Sequence, residues 1–463
     1  MIKTPQTNNA SLNWGKLLRL KVVKYPSIII GAVMLLCVLI FVFFPDPFIN
    51  TFLKDRVTKA FTKAYPAYSI KLGNMHYNVW KNRLTCDSIK LTTNKFTGSA
   101  ASFSISGISW IKILRQGDIT PDILSGSALD AQDIIINLHQ SQNVLRFGML
   151  HISVPDSEIV ADSIKYYSLI NDEQFFAKSQ FRQTRYRFDI PQIQIIGSDC
   201  AAILQGNSYN AGCININDLF VDILVNMDKP YDTNSPNPQM PNEVLSSMKE
   251  IIKVDSMIIL NGGLKYSEKF TVRGTPGVIS INKANVSIIG IANHTTKPDT
   301  TLIHGEALFM NSAKMKLFMA IPLTSKNFSL RYSGSISTMD VTVLNSFIEA
   351  GEYQRIKSGT LQSAKFNIIV NSGHASGTLH AEYKDLTLSQ LNKNTGSEKG
   401  LFDRISTIFS KIFVIRGTNM PDEKGSMKIG ATNYIRNPDD YFFQFVWFAL
   451  RNGVADIVGF PPI

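Results

Sequence analysis

The chain has 463 residues, 44% of them hydrophobic, and a formal charge of +11. Five positive charges fall in the first 26 residues, which leaves 42 basic against 36 acidic side chains after them, a net +6 for the body. A bias that small does not argue for a nucleic-acid binder, which needs a clustered basic patch, and a single long apolar run does not support a polytopic membrane protein.

Residues 1–26 form a basic tail with Lys3, Lys16, Arg19, Lys21 and Lys24 and no acid. Ser27–Phe44 then carries no charge. About 20 apolar residues at about 1.5 Å each cross a hydrocarbon core, so a transmembrane helix is predicted over 27–45. Positive charge on its N-terminal side keeps that side cytoplasmic. The run ends in Phe43-Phe44-Pro45-Asp46-Pro47 without an Ala-x-Ala pattern, which favours a retained single-pass anchor over a cleaved signal peptide.

Residues 46–66 read as a helix, with Ile49, Leu53, Val57, Phe61 and Ala64 on one stripe and Lys54, Arg56, Lys59 and Lys63 on other faces. Such a helix can lie on the outer membrane surface or cover the edge of a sheet; the edge cover is favoured, and the two roles are compatible.

From Tyr68 the apolar period changes from 3.6 to 2, and it stays there for over 300 residues. Frequent Gly, Asn, Asp and Ser breaks indicate antiparallel strands with one apolar face. The predicted fold is mainly β: an elongated, curled antiparallel groove of roughly 25–30 strands at about 12 residues each, with few helices. Short helices are expected at Trp110–Arg115, Glu243–Ile252 and Val343–Ala350. Residues 67–226 and 243–400 form two halves, joined by a Pro- and Asn-rich linker at 227–242. Residues 401–463 close the chain as an apolar and aromatic cap. There, Phe442, Phe445, Trp447 and Phe448 are candidate membrane contacts, with packing on the sheet as the other reading.

A spacing recurs three times: Phe103-x-Ile105-x-x-Ile108-x-Trp110, Ile214-x-Ile216-x-x-Leu219-x-Val221 and Ile279-x-Ile281-x-x-Ala284-x-Val286. Each is strand alternation that slips by one residue, as a bend or bulge produces. It reads as a repeat of one-faced β units.

No catalytic constellation is present. The chain lacks a phosphate loop, a His-Glu-x-x-His run and a Gly-x-Ser-x-Gly elbow. His374 and His380, on one face of a straight strand, stand about 20 Å apart, too far to share a metal. Cys200 and Cys213 close a hairpin disulfide or remain free thiols; both readings stand. Neither enzyme activity, metal nor cofactor is expected.

The one-faced sheet must bury its apolar side, and acyl chains fit that need, at about 0.8 kcal/mol per buried methylene. By alternation, one face holds Ile70, Leu72, Val79, Ile134, Ile136, Ile193, Ile195, Ile258, Leu260, Phe366 and Ile368. A slip of one residue reverses any of these assignments.

Several stretches resemble the AsmA-like family of the Gram-negative envelope, which includes TamB. They are Tyr68-Ser69-Ile70-Lys71-Leu72-Gly73, Ile108–Ile119 and Val254–Tyr266. In the C-terminal half they are Ile356-Lys357-Ser358-Gly359-Thr360, Gly377-Thr378-Leu379 and Tyr383–Leu388. The resemblance implies an inner-membrane anchor, a periplasmic β-groove, phospholipids as cargo, and a role in lipid transport and outer-membrane homeostasis. The chain is shorter than the large members. The rival expectation is an assembly scaffold that offers strand edges to outer-membrane proteins.

Overall fold

The structure is a computed structural model that describes residues 32–36, 45–109, 124–205, 208–270, 275–294, 300–351, 354–392 and 415–459. The anchor predicted over 27–45 lies outside these residues except for Pro45 and 32–36, which are helical with Val33, Met34, Leu35 and Leu36 exposed. No helix among the described residues is long and apolar enough to cross a membrane. The short helix predicted at 110–115 also falls outside them.

Asp46–Phe48 leads through a π-helical turn, Ile49–Leu53, into α1 (Lys54–Ala64). The remaining helices are α2 (Asp172–Ala177), α3 (Cys200–Gln205), α4 (Pro241–Ser247), α5 (Asn345–Gly351) and α6 (Phe442–Val458).

Among the described residues, a 3-10 turn at Val341–Leu344 precedes α5, and the other regular structure belongs to one sheet of 21 strands. The first pass is β1 (Ser69–Leu72) with β2 (Met75–Asn78), the second β3 (Arg83–Cys86) with β4 (Ile89–Thr92), the third β5 (Phe96–Ala100) with β6 (Ser102–Ser106). The meander continues through β7 (Ala128–Leu138), β8 (Asn143–Ser153), β9 (Glu158–Ser168) and β10 (Thr184–Ile196). β11 (Ser208–Asn217) and β12 (Phe220–Asn226) share the next pass, followed by β13 (Ile251–Lys269) and β14 (Gly277–Ala292). Then come β15 (Thr301–Phe309), β16 (Ala313–Ile321), β17 (Leu330–Ile336), β18 (Met339–Asp340), β19 (Gln354–Asn371), β20 (His374–Gln390) and β21 (Gly430–Ile435). Passes reach 19 residues, well beyond the 12 assumed from sequence, so fewer strands use up the chain.

One junction departs from the antiparallel expectation: β13 runs parallel to both β11 and β12. The chain leaves β12 beside Lys269, where the Met227 N–H donates to its carbonyl at 3.0 Å, and re-enters at Ile251 beside Ser208. Residues 227–250 must therefore run back along the whole of β13, about 60 Å. An extended chain of that length reaches about 80 Å, which is enough. The stretch expected to link two halves is the start of this crossover, and the sheet pairs without interruption past it.

Ten successive passes are broken at one line. Gly73-Asn74 separates β1 from β2, Asp87-Ser88 separates β3 from β4, and Ala101 separates β5 from β6, with the Gly73 N–H donating to the Ser88 carbonyl at 2.8 Å. The register then sets Asp133, Gly148, Ser163, Pro191, Asp218 and Asn261 side by side. Lys283 follows in β14, within a register shift. Asp133, Ser163, Asp218, Asn261 and Lys283 have φ between 48° and 54°, a left-handed conformation that Asp and Asn tolerate best. The slip in two of the recurrent motifs falls on Asn217-Asp218 and Asn282-Lys283. In these two copies the motif marks a crease that strands cross in register.

Candidate functional site

Directly paired residues share a face, so the register can be followed strand by strand. One row is Met75, Cys86, Phe103, Ala131, Leu150, Ala161, Ile193, Ile216, Ile259, Val286, Gly305, Leu317, Gly334, Phe366, Leu379 and Gly430. No polar side chain interrupts it. Sixteen strands at about 4.8 Å make it about 70 Å long. The adjacent row runs Tyr77, Leu84, Ile105, Leu129, Ile152, Ile159, Ile195, Ile214, Met257, Ile288, Ile303, Met319, Tyr332, Ile368 and Gly377, again without a charge. Beyond the crease a third row, Ile70, Leu91, Gly98, Ile136, Leu145, Tyr166, Phe188, Val221, Leu264, Ile281 and Phe309, repeats the pattern.

The other face is polar: His76, Thr85, Ser104, Asp130, His151, Val160, Gln194, Asn215, Ile258, Ser287, His304, Phe318, Ser333 and Asn367 are paired in turn. Near its start Asp130 links neighbouring strands, accepting from Arg83 at 2.5 Å and Ser104 at 3.3 Å and facing His151 Nδ1 at 2.6 Å.

Helices cover the apolar face at both ends. At the first, Ile49 packs with Met75 and Cys86, flanked by Leu53 and Leu72. At the last, Phe445 and Ala449 of α6 pack with Met319, Tyr332 and Ile368, and Met240 from the crossover joins them. Tyr332 donates to the Val446 carbonyl at 3.2 Å, and burial pushes its phenol pKa up. Gly430 lies so close to α6 that a Cβ there would stand 2.2 Å from the Gly453 carbonyl oxygen. Arg436 ties the crossover down, donating to Glu243 at 2.8 Å and to the Pro238 carbonyl at 2.8 Å. Burial works against the Glu243 charge, but the bonds from Arg436 and from the Met240 N–H outweigh it and lower its pKa. Between the two ends, Ile105, Leu129, Ile152, Ile159, Ile195, Ile214, Met257 and Ile288 are half-buried.

The same helices occupy the outer edges of β2 and β21. Asn50 donates to the Met75 carbonyl at 2.8 Å and accepts from its N–H at 2.9 Å, while Asp46 accepts from the Tyr77 N–H at 3.0 Å. At β21, Asp456 accepts from the Ala431 N–H at 2.9 Å and Asn452 donates to the Asn433 carbonyl at 3.0 Å.

The residues chosen from sequence divide. Ile193, Ile195, Phe366 and Ile368 fall in the first two apolar rows, and Ile70 and Ile136 in the third. Ile134 pairs with Phe147 beside that row, and Leu72 borders the first cluster. Ile258 and Leu260 are corrected: they point to the polar face, because the apolar register of β13 runs through Met257 and Ile259. Val79 sits in the turn between β2 and β3. Among the aromatic candidates, Phe445 is fully buried, and Phe442 and Phe448 pack inward on Phe328 and Tyr434, so these three do not reach outward. Trp447 is exposed, together with Phe443, which sequence reading passed over although it lies one turn before it. Cys200 and Cys213 are free thiols. Among the described residues no group of three or more His, Cys, Asp or Glu side chains is placed to hold a metal ion. A shallow depression of about 690 Å³ in the sheet is bordered by residues of both registers, Ile259, Val286, Leu317 and Phe366 as well as Ile258, Lys316 and Phe318. No family model matches the chain, and no curated protein matches it.

Proposed function

We propose that the protein carries phospholipid acyl chains along the half-open apolar face, as a passive slide without catalytic groups. In this reading it is an AsmA-like protein, anchored in the inner membrane with its body in the periplasm, that serves lipid transport and outer-membrane homeostasis. The observation that carries it is the pair of uncharged rows, covered by helices at the ends and half-open between. A methylene buried there contributes about 0.8 kcal/mol, so one 16-carbon chain gains roughly ten kcal/mol before ordering costs. The scaffold reading is weaker, since strand addition needs free edges and side chains from the flanking helices occupy the β2 and β21 edges.

The test is native mass spectrometry of the full chain, purified from a membrane-containing host without added lipid and released from its detergent micelle. Phospholipids retained in defined numbers per chain support the proposal. A lipid-free, folded protein rejects it and returns the scaffold reading.

A further inference from the structure

The body's +6 is not spread along it. Residues 46–100 hold nine basic and three acidic side chains, a net +6, and residues 101–463 hold 33 of each. The whole excess therefore sits in the 55 residues that follow the uncharged stretch 27–45.

The acids in this segment are engaged within it. Asp55 pairs with Lys59 at 2.6 Å, Asp46 faces His76 at 2.8 Å, and Asp87 faces the same ring at 3.4 Å. Arg56 and Lys63 stand exposed on α1, whose apolar side packs toward β1. On the far face of the same strands, Lys71 of β1 lies directly opposite Lys90 of β4, and both are exposed. Like charges so placed repel, and an anion between them relieves the cost. Positive charge thus flanks the end of the sheet on both sides, where the chain adjoins its longest apolar run.

We propose that this end of the sheet, α1 with β1 and β4, stands on an anionic bilayer surface. It rests on the anchored reading above. The chemistry is that of phosphate headgroups carrying net negative charge, which attract basic side chains near the surface and lose that attraction within a screening length. The contact sets the sheet upright and keeps the first strands, rather than the open apolar stripe, against the headgroups.

The experiment uses the full chain in nanodiscs of phosphatidylcholine alone or mixed with phosphatidylglycerol. An environment-sensitive fluorophore replaces exposed Thr62. A blue shift in the anionic discs alone is expected. It should vanish at about 1 M salt, where the screening length is about 3 Å, and in a variant combining Arg56→Glu, Lys63→Glu and Lys71→Glu. The three changes are at exposed sites, and the last sets opposite charges across β1 and β4, so folding is retained. Identical spectra in both discs, or a wild-type shift in the variant, overturn the inference while the anchor stands. A chain that does not enter discs at all overturns the anchored reading as well.

Discussion

Asn50 engages Met75 with both ends of its side-chain amide, donating to its carbonyl and accepting from its N–H, while the same amide nitrogen donates to the Asp46 carbonyl. The amide thereby takes the place of a neighbouring strand at the edge of β2. Met75 is 4% exposed, so water does not replace the lost partner. Asn50→Ala should cost about 1–3 kcal/mol in denaturant unfolding. Asn452→Ala, which removes a single bond to Asn433, should cost about half as much. Equal effects would show that the two edges are closed by something other than these amides.

The same edge responds to pH. The His76 pKa is raised above its ordinary 6.5 chiefly by the bond to Asp46, with burial opposing and Asp87 helping. Its contribution is complete below about 6.5 and is lost as pH climbs through the raised value. For Asp46, burial opposes the charge, but His76 and the Tyr77 N–H together lower its pKa below 3.8, so its contribution fades only as pH falls through that lower value. The cap is strongest between the two. Because both side chains are largely exposed, the effect should be a few tenths of a kcal/mol. Melting temperature should fall from pH 6 to pH 8.5 in the wild type and be flat over that range in His76→Gln.

Two positions on β10 and β13 separate the faces. Ile195→Asp places a charge in the half-open apolar row and should abolish most of the lipid retained through purification. Ile258→Asp places the same charge on the polar face and should leave retention within about twofold. Circular dichroism on both variants guards against loss of fold. Similar retention in the two would remove the apolar row from the mechanism.

Gly430→Ala tests how closely α6 is seated. A Cβ 2.2 Å from a backbone carbonyl cannot be relieved by a side-chain rotation. The helix must lift, at about 1–3 kcal/mol. Faster proteolysis within 442–458 should accompany the loss of stability, and a wild-type proteolysis pattern would show that the sheet yields instead.

Much of the sheet was legible because its pattern is local. Period-two alternation names the apolar side of β10 and β19, and hence Ile193, Ile195, Phe366 and Ile368. The slip at Asp218 and Lys283 was visible as spacing, but only the register shows that neighbouring passes slip at the same line. In β13 the run Met257-Ile258-Ile259-Leu260 offers apolar residues on both faces, and alternation alone cannot choose between them. The parallel entry of β13 was hidden for another reason: parallel and antiparallel strands differ in partner, not in composition. The helix at 46–66 was legible as an edge cover, but the residues that make the caps were hidden, since Asn50 and Asn452 reach partners 25 and 19 residues away in sequence.

The two caps are also unequal in time. Asp46 and Asn50 are synthesised before the strand they cover, so the first edge closes as soon as β2 forms. Asn452 and Asp456 follow β21, and every growing sheet before them ends in an unprotected border. During synthesis each newest strand is therefore a template for any extended chain nearby, and only the arrival of α6 ends that exposure. A chain interrupted before residue 452 should aggregate through that border, however complete its hydrophobic face.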